Sequence, residues 1–116
     1  MIKDENKKSK ESIFQEDIRN VAKAEFIPWD MLAGKTLFIT GATGLIGAAL
    51  INALNYASKV KQLNLKLLAL VRDRNRAEER FRDILGDGVL SFAIGSVEQL
   101  PDIDIPIDYI IHGASQ

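Results

Sequence analysis

The chain contains no cysteine, which excludes disulfides and thiolate metal sites. Its single histidine, His112, excludes a multi-histidine metal centre within one chain. No apolar stretch approaches the ~18 to 20 residues that a membrane-spanning helix needs. The N-terminus, charged from Lys3 to Glu11, lacks the apolar centre of a signal peptide. Excess charge is also missing: 15 Lys and Arg stand against 16 Asp and Glu, a net −1. Bulk electrostatics therefore gives no reason to expect nucleic acid or a membrane surface as a partner. The default expectation is a cytoplasmic protein without a metal. What is present is apolar content, 47% of 116 residues, enough for the core of one small domain.

Two regions differ in character. Residues 1–34 form a charged tail followed by an amphipathic pattern. Ser12 and Gln15 fit a capping box, and Phe14, Ile18 and Val21 fall near helical spacing, which predicts a helix over Ile13–Phe26 that ends near Pro28. Trp29, Met31 and Leu32 make an apolar patch before Gly34, with Trp29 read as a core plug rather than a stacking platform. This lead-in packs on a body or binds a partner.

Residues 35–116 alternate regularly. Strands are predicted at Thr36–Thr40, Leu65–Val71, Val89–Ile94 and Ile107–Ile111. Helices are predicted from Leu45 to about Tyr56, with Leu45, Ala48, Ala49, Leu50, Ala53 and Leu54 inward, and over Asn75–Leu85, with Ala77, Phe81, Ile84 and Leu85 inward. Lys59–Asn64 reads as a polar connector, Gly86-Asp87-Gly88 as a turn, Val97–Leu100 as a short helix or turn, and Pro101–Pro106 as a loop. Strand–helix alternation predicts an α/β fold with a parallel sheet and right-handed crossovers.

The most informative residues are Thr40-Gly41-Ala42-Thr43-Gly44-Leu45-Ile46-Gly47, a glycine turn between the first strand and the first helix. In that setting such a turn suits a dinucleotide pyrophosphate. Gly41 can take the angles of a tight turn, Gly44 puts no side chain between backbone and phosphates, and Gly47 lets the helix lie close on the sheet. Free N–H groups and the helix dipole favour the anion, and Thr43 is placed to donate to a phosphate. The alternative is a tight strand-to-helix turn without a ligand.

From Lys35 onward the chain resembles the extended short-chain dehydrogenase/reductase family, closest in pattern to its NAD(P)-dependent nucleotide-sugar epimerases and dehydratases. Three segments carry the resemblance: Thr40–Gly47 fits T-G-x-x-G-x-x-G, Asp108–Ser115 is similar to D-x-V-I-H-x-A-A, and Gly95-Ser96-Val97 stands where the family has G-D-[VIL]. The resemblance implies a doubly wound, Rossmann-like sheet of order 3-2-1-4. It implies cofactor contacts from Gly41, Thr43, Gly44, Leu45, Ile46, Gly47, Arg72, Asp73, Ser96, Val97, His112, Gly113 and Ala114. It gives His112 a loop-shaping rather than a catalytic role. Ser96 departs from the family's acid, which weakens or removes a side-chain contact to adenine and leaves the Val97 backbone to reach the base.

The second departure is larger. Neither Tyr56 nor Tyr109 begins the family's catalytic Tyr-x-x-x-Lys, because Val60 and Gly113 stand four residues on. The resemblance therefore implies the N-terminal part of a longer enzyme, cut before strand five, with no catalytic residue in these 116 and nucleotide-sugar chemistry only in the parent. A dinucleotide-sensing module without chemistry, or a scaffold with a vestigial site, are the other readings. The open edge of strand four is expected to pair with a second copy, or to limit solubility, unless the N-terminal helix covers it.

Cofactor choice sits at the end of strand two, Leu70-Val71-Arg72-Asp73-Arg74. An acid there favours NAD through the ribose 2′-hydroxyl, and an arginine favours the 2′-phosphate of NADP. Val71 stands at the acid's usual position and Arg72 follows, with Arg74 and Arg76 adding charge, so NADP is favoured over NAD. Asp73 leaves NAD open, and the arginines also fit an ordinary solvated helix start. Asp102, Asp104 and Asp108 read as a solvated loop rather than a metal site.

Overall fold

A computed structural model describes residues 28–113. The predicted helix over 13–26 and the cofactor candidate Ala114 lie outside the described residues. The elements are α1 (Trp29–Leu32), β1 (Thr36–Thr40), α2 (Leu45–Lys61), β2 (Lys66–Val71), α3 (Arg74–Arg80), a 3-10 turn (Leu85–Asp87), β3 (Leu90–Ile94) and β4 (Tyr109–His112). All four strands are parallel, in the order β3-β2-β1-β4. The fold is α/β, as the alternation predicts.

Strand parity divides the core in two. Leu37, Ile39, Leu67, Ala69, Val71 and Leu90 share one face, and they pack with Ala48, Ile51, Leu54 and Ala57 of α2 and with Ala77 and Phe81. The crossovers β1–β2 and β2–β3 step in one direction across the sheet, so crossovers of one hand carry α2 and α3 to the same face. Phe38, Leu68 and Leu70 point the other way and meet Ala93, Ile103 and Ile107. Among the described residues no helix covers this second face. The return from β3 to β4 is a loop, and Val97–Leu100 bends without forming a helix. Trp29 is buried in the larger core, with the Lys61 ammonium 5.9 Å from its ring centre, whereas Met31 is exposed.

Several predicted boundaries shift. Helix α2 continues five residues past Tyr56 because Ala57 and Ser58 keep its buried stripe going, and Gln62 then ends it in the left-handed conformation (φ 54°). Its inward face is centred on Ile51, which the sequence reading passed over. Leu45 lies six residues before Ile51, about 120° away at ~100° per residue, and is 79% exposed. Ala49 and Leu50 are only half-buried. Helix α3 stops at Arg80 because Phe81 leaves helical geometry (φ −112°, ψ 21°) to pack near Phe92, and a 3-10 turn follows. Strand β4 begins at Tyr109 rather than Ile107; Asp108 instead closes the start of β1, its N–H donating to the Thr36 carbonyl and its carboxylate accepting from Thr36 N–H at 2.8 Å. The outer edge of β4 has no strand partner among the described residues, and Ile110 beside it is exposed.

One polar tie joins α2 to the lead-in of β3. Buried Asn55 donates through Nδ2 to Asp87 Oδ2 at 2.9 Å, and Lys59 Nζ lies 3.2 Å from Asp87 Oδ1. The Asn55 amide is the main reason the Asp87 carboxyl is held below its ordinary value; partial burial opposes this and the Lys59 ammonium adds to it. A depressed carboxyl stabilises the fold above its unfolded pKa, about 3.9, and that contribution is lost as pH falls through the folded value. Asp87→Asn is therefore expected to lower stability by about 1 kcal/mol near neutral pH. The gap from the parent chain should close below about pH 4. Urea unfolding at a series of pH values checks both; a gap that is constant with pH would refute the assignment.

Candidate functional site

The C-terminal ends of all four strands open into one cleft of about 610 Å³. Its wall comes from Thr40 to Thr43 after β1, Leu70 to Asp73 at the end of β2, Gly95 to Val97 after β3, and His112 of β4, with Arg76 and Arg80 of α3. The site lies at the switch in strand order, because the chain winds from β1 through β2 to β3 and then returns to the other side of β1. Crevices at such switch points are the usual ligand sites of open α/β sheets.

The glycine turn is shaped by backbone crowding. Gly41 has φ +66°, a left-handed angle, and a side chain there would also meet the Gly113 carbonyl oxygen at 2.9 Å. A Cβ on Gly113 would lie 2.6 Å from the Thr40 carbonyl oxygen, and one on Gly47 would overlap the Gly41 carbonyl. The close approach that requires Gly47 is thus to the turn itself, not to the sheet as the sequence reading had it. Gly44 is different. A Cβ there would meet only the Gly41 oxygen, at an ordinary 3.5 Å, and its φ is −69°. Nothing in the described fold requires glycine at position 44. It is exposed and is the N-cap of the 17-residue α2, with no side chain capping the helix. Ser, Thr, Asp or Asn would ordinarily satisfy an N–H group there.

Strand pairing brings Thr40 opposite His112. Thr40 Oγ1 and His112 Nδ1 form a hydrogen bond, and Gly113 N–H donates to the Thr40 carbonyl at 2.9 Å. His112 thus ties β4 to β1 at the cleft floor. After β3, Gly95 N–H donates to the Val71 carbonyl; Ser96 and Gln99 then close a turn by reciprocal backbone bonds, and Ser96 Oγ also accepts from Gln99 N–H at 3.2 Å. A side chain on Gly95 would strike Pro101 and the Gln99 carbonyl.

At the end of β2, Arg72 is exposed on the cleft. Asp73 is the N-cap of α3: its Oδ1 accepts from Asn75 N–H at 3.0 Å and Arg76 N–H at 3.2 Å, and its Oδ2 lies 3.8 Å from Arg76 Nε. Arg76 and Arg80 line the cleft and Arg74 does not. Arg80 is not among the candidates named from the sequence, although Arg76 and Arg80 stand four residues apart on α3, the spacing that aligns side chains on a helix face.

Of the candidates, Gly41, Thr43, Arg72, Asp73, Ser96, Val97 and His112 line the cleft, whereas Gly44, Leu45, Ile46, Gly47 and Gly113 do not. Gly47 and Gly113 act by leaving room for backbone. Leu45 and Ile46 stand exposed on the first turn of α2. Among the described residues no group of three metal-ligating side chains occurs, and no helix is long and apolar enough to cross a membrane. No family model matches the chain, and no match to it occurs among curated proteins or solved structures.

Gly47→Ala is expected to cost roughly 2–3 kcal/mol, because backbone rather than a movable side chain fills the space. Gly86→Ala, with open space around it, should change stability by no more than ~0.5 kcal/mol. Urea denaturation of both variants tests this; equal losses would mean the turn relaxes.

Proposed function

We propose that this chain is the NAD(P)-binding portion of an oxidoreductase of the extended short-chain dehydrogenase/reductase type, built on a doubly wound, Rossmann-like sheet. Gly44 carries the reading. It is the one glycine of the turn that the fold does not need, and it stands at the uncapped start of a long helix beside the strand-end cleft. A pyrophosphate passing there would need both the missing side chain and the free N–H groups. Gly41, Thr43 and Gly47 would complete that cradle, His112 and Gly113 would border the ribose, and Val97 and Ser96 would face the base. The nicotinamide, when bound, supplies the acceptor for hydride from a sugar hydroxyl carbon. The Tyr-x-x-x-Lys pair that would move the hydroxyl proton does not occur in residues 1–116, so under this reading these residues hold the cofactor and do not supply that proton relay. That absence equally suits a dinucleotide-sensing module, which shares the binding site and differs only in the chemistry beyond it.

Gly44→Ser separates binding from folding. A serine at the N-cap is expected to hold stability or raise it by up to ~0.5 kcal/mol. The same side chain should weaken dinucleotide binding at least tenfold, by occupying the phosphate path. Calorimetric titration with NADP⁺ and NAD⁺, alongside urea unfolding, reads both effects. Binding of neither nucleotide to the folded parent chain would defeat the proposal, and unaltered affinity in Gly44→Ser would remove the role given to Gly44.

A further inference from the structure

Helix α2 is apolar on more sides than the sheet can cover. From Leu45 to Ser58 it carries no charged residue. A surface helix ordinarily turns charged residues to solvent, and one that is apolar all round is ordinarily covered all round. Ile51 marks the side that faces the sheet. At ~100° per residue, Ala49 and Ala53 both lie about 160° from Ile51, on the back of the helix, and Ala57 lies about 120° from it. Ala53 is nonetheless only 4% exposed, and it belongs to neither core cluster of the described residues. Ala49, Leu50 and Tyr56 around it are half-buried. A spacing of four puts Ala49, Ala53 and Ala57 in one row, a shallow groove that larger side chains of a second helix can enter.

We propose that this row is the docking site of residues 13–26 of the same chain, which lie outside the described residues. Three observations select this occupant. The first is where the described chain begins. Trp29 lies beside the last turn of α2, with Lys61 Nζ 5.9 Å from its ring centre, and Gly34 N–H donates to the Leu63 carbonyl just past that helix. Only Ile27 and Pro28 separate the segment from that point. The second is length. A helix over 13–26 spans ~21 Å, and Ile46 to Lys61 spans ~22 Å. The third is pattern. Phe14, Ile18 and Val21 are large apolar residues at helical spacing, whereas Glu16, Asn20 and Lys23 fall on the opposite side. Lying parallel to α2 with Phe26 level with Lys61, the segment brings Phe14 level with Ala49, Ile18 with Ala53 and Val21 with Tyr56. Large side chains then meet small ones, and the apolar back of α2 is covered. The surface is separate from the strand-end cleft, so the inference does not depend on the dinucleotide reading.

The full chain has no cysteine, so introduced pairs report proximity without background. Ile18→Cys combined with Ala53→Cys is expected to close a disulfide within one chain, under mild oxidation, at least ten times faster than Ile18→Cys combined with Glu79→Cys, whose second site is exposed on α3. Should Ala53→Cys not fold, Phe14→Cys with the half-buried Ala49→Cys repeats the comparison one turn away. Ala53→Cys alone should react with a small thiol reagent at least tenfold more slowly than Glu79→Cys. Adding Ile18→Asp should speed that reaction at least fivefold while urea unfolding stays cooperative. Equal closure rates in the two pairs would overturn the inference. So would protection of Ala53→Cys that Ile18→Asp leaves unchanged in a folded chain. A disulfide formed between chains rather than within one would also overturn it and would assign the row to a second copy.

Discussion

The structure depends on one point of backbone crowding, where β1 ends, α2 begins and β4 arrives. Gly41, Gly47 and Gly113 converge there, and each would drive a side chain into the main chain of another part of the junction. The crowding locks the left-handed Gly41 turn against the end of the adjacent strand. It leaves backbone, together with the hydrogen-bonded Thr40 and His112, at the central end of the sheet. Because strand order reverses at this place, the two halves of the wall diverge from it and leave a crevice. The cleft is a consequence of topology and of missing side chains, and it needs no separate packing arrangement to exist.

The opposite end of the sheet is held by different means. Asn55, Lys59 and Asp87 tie α2 to the segment before β3, and Ser58 Oγ accepts from Leu65 N–H where the chain enters β2. Those contacts spend polar side chains on structure. At the cleft end, Arg72 and Arg80 have no ion-pair partner among the described residues, and α2 has no side-chain cap. Like charges near an uncapped helix dipole stabilise no fold by themselves. Their placement around a concave wall would suit the anion of the proposed function.

The parallel strand–helix alternation and the existence of the turn were legible in the sequence for physical reasons. Leu67 to Val71 is apolar without alternation, which fits a strand covered on both faces, and Gly41 to Gly47 directly follows such a run. The phase of α2 was not legible to the same degree. Its sequence is apolar around much of the circumference, so Leu45 and Ile51 compete for the inward position until the sheet decides. The role of Asp73 was obscured by an expectation about cofactors, although an acid followed by a polar helical segment is also an N-cap signal. The tie between Asn55 and Asp87 joins residues 32 apart through tertiary geometry alone. Arg80 lay on a spacing of four that was visible, but which face of a seven-residue helix meets a cleft is set by the buried Ala77 and Phe81.

The contrast between the two helix starts is the strongest internal argument for a ligand. Both α2 and α3 begin just after the C-terminal ends of neighbouring strands, and each has N–H groups to satisfy. The short α3 uses an aspartate of its own to do so. The longer α2, with the larger share of the core to hold, begins at a glycine and caps nothing with a side chain. Loss of an N-cap costs about 1 kcal/mol wherever it occurs, so stability alone gives no reason to cap the shorter helix and leave the longer one bare. Glycine at position 44 is also not demanded by space. A missing side-chain cap and an avoidable side-chain absence coincide at Gly44, and the proposed anionic ligand would account for both.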